Sequence, residues 1–402
     1  MTPHHTVLTA IASLLLLAGC GGGDSAMSAA PASPPVPAPA PAPAPATPSI
    51  TLHALDTGTA TVAVPLTSQQ GVVFADVPVT LHSEDNRLYA TRWEDAAPVK
   101  TLLAAAANNG SVAARGQHLL AVYVQLAPTR RVIARESADG GRTWGAEVDL
   151  GAAPAGPAMP AACVWQRGGT LRRAVAWSDQ PSQSEGPLVT AVHDGSAWRA
   201  PVRDTSAESS GAALACADDE APEVVWRDHR HGSGSQVALY HARLDPASGA
   251  TQSARRIVQP GYDPSMCRSG TRRFVGFHTG TNDAHVARSD DDWLTLTEPD
   301  LDDGAAGAQL DDSGKFVAVA CSGEVVAAAW GDWPTKHDAD ALASTRQLAL
   351  AVSRDGGTQW QLLRPADADT DQATATVTVH DGRVLVLWRA PSMLRLATIV
   401  WP

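Results

Sequence analysis

The sequence predicts an all-β chain, a ring of six four-stranded antiparallel blades forming a β-propeller. Three observations carry this expectation. An aromatic residue closes a β-rich run at Tyr123, Trp177, Trp226, Phe277, Trp330 and Trp388, in steps of 54, 49, 51, 53 and 58 residues. Four cysteines, Cys163, Cys216, Cys267 and Cys321, keep the same beat at spacings of 53, 51 and 54. No unit carries an apolar stripe of helical period, and a repeat near fifty residues made of alternating runs suits a four-stranded unit. Such a ring is one domain, so a length of 402 residues need not mean two or three.

Composition agrees. Tryptophan supplies 12 aromatic residues against 4 Tyr and 4 Phe, and 33 Gly with 29 Pro mark many turns. With 44% hydrophobic and 18% charged residues there is material for a large core, which excludes wholesale disorder, collagen and coiled coil. The net charge is −12 and the lysines are Lys100, Lys315 and Lys336. No basic tract is present to follow a phosphate backbone, so nucleic acid is excluded as a partner class.

In chain order, residues 7–18 form an apolar run too short for a mature membrane helix but suited to a signal-peptide core. It ends in Leu17-Ala18-Gly19-Cys20, which resembles the lipobox of bacterial lipoproteins, although His4 and His5 stand where a Lys or Arg is usual. The resemblance implies cleavage after residue 19 and lipidation of Cys20. Gly21 after that cysteine implies the outer membrane, so a lipid-anchored protein of the bacterial cell envelope is expected. Residues 31–48 hold nine prolines, mostly alternating with Ala. Such a tract favours polyproline II and makes a spacer of roughly 50 Å at about 3.1 Å per residue. The domains are therefore a leader at 1–19, the lipidated Cys20 with a Pro/Ala-rich linker at 20–49, and the propeller at 50–402.

Within the repeat, the anchor runs read VAWSD, VVWRD, VGFHT and AAWGD. The fullest unit runs FVAVAC, EVVAAAW, QLALAV, SRDGGTQW, QLLRP: three β-rich runs, a Gly-rich turn and a short fourth run. The last unit, residues 373–402, has room for three strands. RLYATRW and PVKTLL, within about 75–105, are expected to complete it and so remove the open sheet edge. Residues 50–81 are strand-like and have no assigned place. The cysteines recur near the end of first strands. They either fill a tight inner layer or bridge neighbouring units as Cys163–Cys216 and Cys267–Cys321. A ring spreads them around its axis, which argues against a shared metal, and no cofactor is expected.

Two turns read S-x-D-x-G-x-x-W: Ser137, Asp139, Gly141, Trp144, and Ser353, Asp355, Gly357, Trp360. The carboxylate can accept from turn amides, Gly permits positive φ, and Trp folds back onto strands. These turns resemble the Asp boxes, or bacterial neuraminidase repeats, of the sialidase-like superfamily, over roughly residues 75–402. Degraded copies stand at Asp194-Gly195 with Trp198, and at Ser289 to Trp293. In that family the boxes are structural and occupy the loop between third and fourth strands, opposite the ligand face. The resemblance therefore implies a functional face made of the loops after the anchors, 178–187, 227–236, 278–283, 331–347 and 389–393, with the connection at 259–265.

Three anchors precede an acid in W-x-D: Asp179, Asp228 and Asp332. Each either caps its loop or joins a carboxylate cluster facing a ligand. Arg227, His229 and Arg230 crowd one loop, and Arg389 lies in another. Sialidases grip the substrate carboxylate with three arginines, so these are candidate binding residues. Trp333 offers a platform for a sugar ring beside Lys336, His337 and Asp338. Tyr262 stands where a nucleophile could, with Asp228 as candidate acid. The family's early Arg-Ile-Pro is absent, Arg256-Ile257-Val258 comes too late, and no Glu pairs with Tyr262 by sequence. The expected function is glycan binding, sialylated glycans among them, with exo-sialidase-like hydrolysis as the activity the resemblance implies. The competing class is a non-enzymatic scaffold or assembly factor with a protein partner.

Overall fold

The computed structural model describes residues 47–402 apart from 59, 66–69, 154–157, 181–184, 280–283, 299–314, 333–345, 366–368, 371–373 and 391–392. The leader, Cys20 and the proline tract lie outside the described residues. The described strands pair antiparallel in six sheets, one of them seven-stranded. That sheet is two units sharing one long strand, Val202–Ala215: its first half pairs with Gly186–His193 and its second with Glu223–Asp228.

Among the described residues seven units follow one another, each from the axis outward. Blade 1 is Val72–Phe74, Pro78–Glu84, Arg87–Trp93 and Pro98–Ala104. Blade 2 is Ala107–Arg115, His118–Gln125, Arg131–Ser137 and Val148–Ala152. Blade 3 is Ala161–Arg167, Thr170–Ser178, Gly186–His193 and the shared strand, whose second half opens blade 4. Blade 4 continues with Glu223–Asp228, Ala238–Leu244 and Thr251–Val258. Blade 5 is Tyr262–Ser269, Arg272–His278 and Ala284–Ser289, with Thr297 bridging to Arg288 in the fourth position. Blade 6 is Lys315–Ser322, Val325–Asp332, Arg346–Ser353 and Gln361–Leu363. Blade 7 is Ala375–His380, Arg383–Ala390 and Met393–Val400, completed by Ser49–Asp56.

The first strands of these described units line one channel. They are rich in Ala, Ser, Thr and Cys because neighbouring backbones converge there and leave little room for side chains. The expected count of six blades is corrected, and so is the closure. Residues within about 75–105 build a blade of their own. The ring is closed by Ser49–Asp56, whose Ser49 faces Val400 in the last strand. Gln70 Nε2 and Gly71 N donate to the Thr378 and Thr376 hydroxyls at 3.2 and 2.8 Å, sewing blade 1 to blade 7.

The aromatic anchors hold the blades together. Trp177 packs with Val122, Val132 and Leu150 of the preceding blade, and Trp226 with Trp165 and Leu188. Trp330 packs with Phe274 and Val286, Trp388 with Leu350, Phe277 with Leu239, and Tyr123 with Leu81 and Leu88. Each is 0–2% exposed, so truncation to Ala would cost about 3–5 kcal/mol. The cysteine sulfurs are bonded as Cys163–Cys216 and Cys267–Cys321, tying the first strand of blade 3 to the residue just after the shared strand and joining the first strands of blades 5 and 6. Closing loops of this length restricts the unfolded chain by on the order of 4 kcal/mol each.

The Asp turns show why their residue types recur. Ser137 Oγ donates to Asp139 Oδ1 at 2.8 Å and accepts from Gly141 N at 2.8 Å. Asp139 accepts Thr143 N at 2.9 Å and Thr143 Oγ1 at 2.6 Å, which holds its carboxyl down at about 2. Gly141 sits at φ +86° and Gly357 at +87°, the left-handed region that glycine adopts without strain. Ser353, Asp355 and Gly357 repeat the bonds, and Trp360 Nε1 donates to Gly357 O at 3.1 Å. Trp144 packs beside the core shared by blades 1 and 2. The degraded turn at Ser289 is better than its sequence suggests. Trp293 N donates to Ser289 Oγ at 2.8 Å and Thr295 Oγ1 to Asp291 Oδ2 at 2.7 Å, the bonds Gly141 and Thr143 make. Trp293, at φ +66°, thus takes the glycine's place and not that of the closing tryptophan.

Candidate functional site

The richest polar cluster among the expected residues lies where the second strand of blade 4 ends beside the start of blade 5. Strand alternation sends Trp226 and Asp228 to one face and Arg227 to the other. Trp226 is fully buried, and Asp228 is 1% exposed. The Asp228 carboxylate accepts from Trp226 Nε1 at 2.6 Å, Arg230 N at 2.9 Å, and Arg230 Nε and Nη2 at 2.8 and 2.7 Å. Burial alone would raise its pKa, but the Arg230 guanidinium and these amides outweigh that and lower it. Every lone pair is committed within the loop, so Asp228 caps it. Arg230 is held by that carboxylate and stacks over Tyr240 at 4.3 Å, and His231 Nε2 lies 2.7 Å from the Tyr240 hydroxyl.

Arg227 reaches the neighbouring blade instead. Its Nη1 donates to Asp263 Oδ1 at 2.9 Å, its Nε to the Ser210 hydroxyl, and its guanidinium lies 5.7 Å from the Tyr262 ring centre. Asp263 turns its other oxygen to His278 Nε2 at 3.0 Å, while His278 Nδ1 lies 2.8 Å from Thr279 O. Tyr262 stacks on the His278 ring at 5.3 Å and 15° between planes. Asp263 reaches both partners from φ +46°, a conformation Asp tolerates better than most residues. His229 Nε2 lies 2.8 Å from Ser210 Oγ, and its Nδ1 is 3.1 Å from a Glu185 carboxylate oxygen without hydrogen-bond alignment. Burial, then the nearby Arg227 charge, lowers the His229 pKa.

The structure therefore brings Arg227, His229 and Tyr262 together and adds Ser210, which sequence reasoning missed, and Asp263 and His278, which it placed only as members of the segments 259–265 and 278–283. Asp263 and His278 carried a signal: one follows Tyr262 in the inter-blade connection, and the other follows the anchor Phe277 as Arg227 follows Trp226. The Tyr262 hydroxyl donates to Gly234 O at 2.7 Å, so the partner in place is a carbonyl and not a Glu. Arg230 serves Asp228, and Arg389 belongs to blade 7, where it donates to Val62 O at 2.7 Å. Arg227, Arg230 and Arg389 thus form no shared set. Asp332 ends the second strand of blade 6, its backbone opposite Gln347. Trp333, Lys336, His337 and Asp338 lie outside the described residues.

Such a cluster presents a flat aromatic ring, a guanidinium, a carboxylate and two imidazoles within one rim. That is equipment for hydroxyls and carboxylates of a polar ligand, with a ring face for stacking.

No known family's sequence profile matches the chain, and no curated protein does. Solved structures share its shape. The polysaccharide lyase Ulvanlyase, bound to a GlcA(1-4)Rha3S saccharide, superposes with a TM-score of 0.53 at 9% identity, covering 86% of this chain and 95% of its own. Trypanosoma rangeli sialidase gives 0.47 at 11% identity, covering 76% of this chain, which spans 56% of the sialidase. YCF48, bound to a peptide, gives 0.46 at 16%, covering 88% and 98%. Identities this low speak to fold and not to activity: the chain is an all-β propeller of antiparallel sheets.

Proposed function

We propose that this chain is a glycan-binding propeller and that the rim at Arg227, Tyr262, Asp263 and His278 is its saccharide site. The observation that carries the reading is Arg227, a guanidinium held between a carboxylate and a tyrosine ring where two blades meet. An incoming sugar carboxylate would compete with Asp263 for the guanidinium, and the ring would take the sugar's apolar face. The ulvan lyase of similar fold holds an acidic saccharide, which is in keeping with this reading. Isothermal titration of the purified chain with sialyllactose and with lactose tests it. Binding of the acidic sugar, weakened at least about tenfold in Arg227→Ala and in Tyr262→Ala, is expected. Failure of both sugars to bind would favour a protein partner.

Binding, rather than cleavage, is the reading we favour, because neither expected catalytic residue has the surroundings catalysis needs. Tyr262 donates to a carbonyl, and Asp228 is buried and fully paired. A general acid needs an exchangeable proton within reach of the bond to be broken. Turnover of a fluorogenic sialoside that is abolished by Tyr262→Phe would overturn this. We further propose lipid anchoring at Cys20 in the outer membrane, with the proline tract as spacer. Labelling with a radioactive fatty acid that persists in Cys20→Ala would contradict it.

A further inference from the structure

The long strand shared by blades 3 and 4 breaks step at one point. Ser209 faces Asp228 and Ala212 faces Trp226, so Ser210 and Gly211 together stand opposite Arg227 as a bulge. A bulge turns a side chain out of the alternation of its strand. Here the Ser210 hydroxyl lies 2.8 Å from His229 Nε2. His229 N donates to Glu208 O at 3.0 Å, which fastens the loop to that part of the strand. On the other side of the ring, Nδ1 lies 3.1 Å from Glu185 Oε1. A hydroxyl, an imidazole and a carboxylate thus follow one another, Nε2 toward the hydroxyl and Nδ1 toward the acid. Acyl-transfer sites on unrelated folds converge on that order.

Protonation fits it. A carboxylate only accepts, so the Nδ1 that faces Glu185 carries the ring proton. Burial and then the Arg227 charge lower the His229 pKa, which keeps the ring neutral near pH 7 and leaves Nε2 able to take the Ser210 proton. The Glu185 contact lacks hydrogen-bond alignment, a looseness common before substrate closes such a site. Arg227 Nε donates to the Ser210 hydroxyl, which sets a guanidinium beside the acyl oxygen that attack turns anionic. Ser210 is 3% exposed, while the side chains of His229 and Arg227 that bond it are 13% and 22% exposed. The hydroxyl therefore lies one side chain below the rim, which suits a short acyl group and not a bulky one.

We propose that Ser210 and His229 hydrolyse a short-chain carboxylic ester, an acetyl ester above all, with Arg227 holding the oxyanion and Glu185 orienting the imidazole. Ser210 Oγ bonds to the acyl carbon as its proton passes to Nε2, and the alcohol leaves with that proton. Water, deprotonated in turn by Nε2, then breaks the acyl-serine bond, releasing the acid and returning the proton to Ser210 Oγ. The bond broken is an ester and not a glycosidic bond. A free ester tests the step without any saccharide, so failure of the binding reading leaves it standing.

The test is hydrolysis of p-nitrophenyl acetate by the purified chain, together with fluorophosphonate labelling and peptide mass analysis. Turnover that falls at least about a hundredfold in Ser210→Ala, and a label on Ser210, are expected. Glu185→Gln should lower kcat roughly tenfold or more and move the acid limb of kcat/KM to lower pH, because the imidazolium loses its counter-charge. Absence of both turnover and label would overturn the proposal, as would turnover that Ser210→Ala leaves unchanged or a label found only elsewhere. An acid limb that Glu185→Gln leaves in place would overturn the part given to Glu185.

Discussion

Blade 4 and blade 1 solve the same local problem with different rings. At the end of the second strand, each buries a ring whose N–H must be satisfied, and each supplies a carboxylate two residues on, carried to the same face by strand alternation. In blade 4 the ring is the Trp226 indole, with one nitrogen, and Asp228 answers it at 2.6 Å. In blade 1 the ring is the His82 imidazole, with two, and Glu84 answers only Nε2 at 3.1 Å. The first rim is saturated and works as a support for Arg227. The second leaves Nδ1 without a partner among the described residues. The lesson is that an acid after an anchor is by itself a cap, and that a ring with two nitrogens has one the cap does not reach.

The largest effect that would sharpen this comparison is expected from Asp228→Ala. Removing the carboxylate leaves a buried indole N–H and a partly buried guanidinium unpaired, so stability by denaturant unfolding should fall by about 3 kcal/mol. An unchanged midpoint would break the parallel with a cap. Next comes acid sensitivity at Glu84, which faces His82 and Lys100. Its carboxyl is lowered from 4.5 to about 2, first by the His82 bond. A depressed carboxylate contributes stability that is present above its unfolded value and is lost as pH falls through the folded one. Glu84→Gln should therefore flatten the pH–stability curve between about 4.5 and 2 and cost about 2 kcal/mol at neutral pH. The smallest effect is expected from His82→Phe. It deletes one good bond and one orphan acceptor of opposite consequence, so a change within about 1 kcal/mol should appear in the melting profile. A loss several times larger would mean that Nδ1 is satisfied in the folded protein.

The same pair of blades shows what could be read in the sequence. Trp177, Trp226, Trp330 and Trp388 announced their units because each must fill the space against the preceding blade, and the phased cysteines reinforced the frame. Blade 1 escaped because a histidine stands at its anchor position, its third-to-fourth connection carries no Asp turn, and its second and third strands join through a tight hairpin at Glu84 and Arg87. The closing strand was hidden for another reason: Ser49 pairs with Val400 at the far end of the chain, and no local pattern encodes a partner that distant. At the site, Arg227, His229 and Tyr262 stood out as loop residues. The pairing of Arg227 with Asp263, and of Asp263 with His278, crosses between blades and rests on one left-handed residue, so spacing could not reveal it. Trp293 misled because a tryptophan in a box-like turn suggests the closing position, whereas its backbone amide takes the glycine's bond.

The central claim, that the rim between blades 4 and 5 binds glycans, is tested most directly by hydrogen–deuterium exchange of the chain with and without saturating sialyllactose. Protection confined to residues 227–236 and 259–265 and to the end of the Arg272–His278 strand is the predicted result. Protection elsewhere with these segments unchanged, or none at a concentration where titration shows binding, would contradict it.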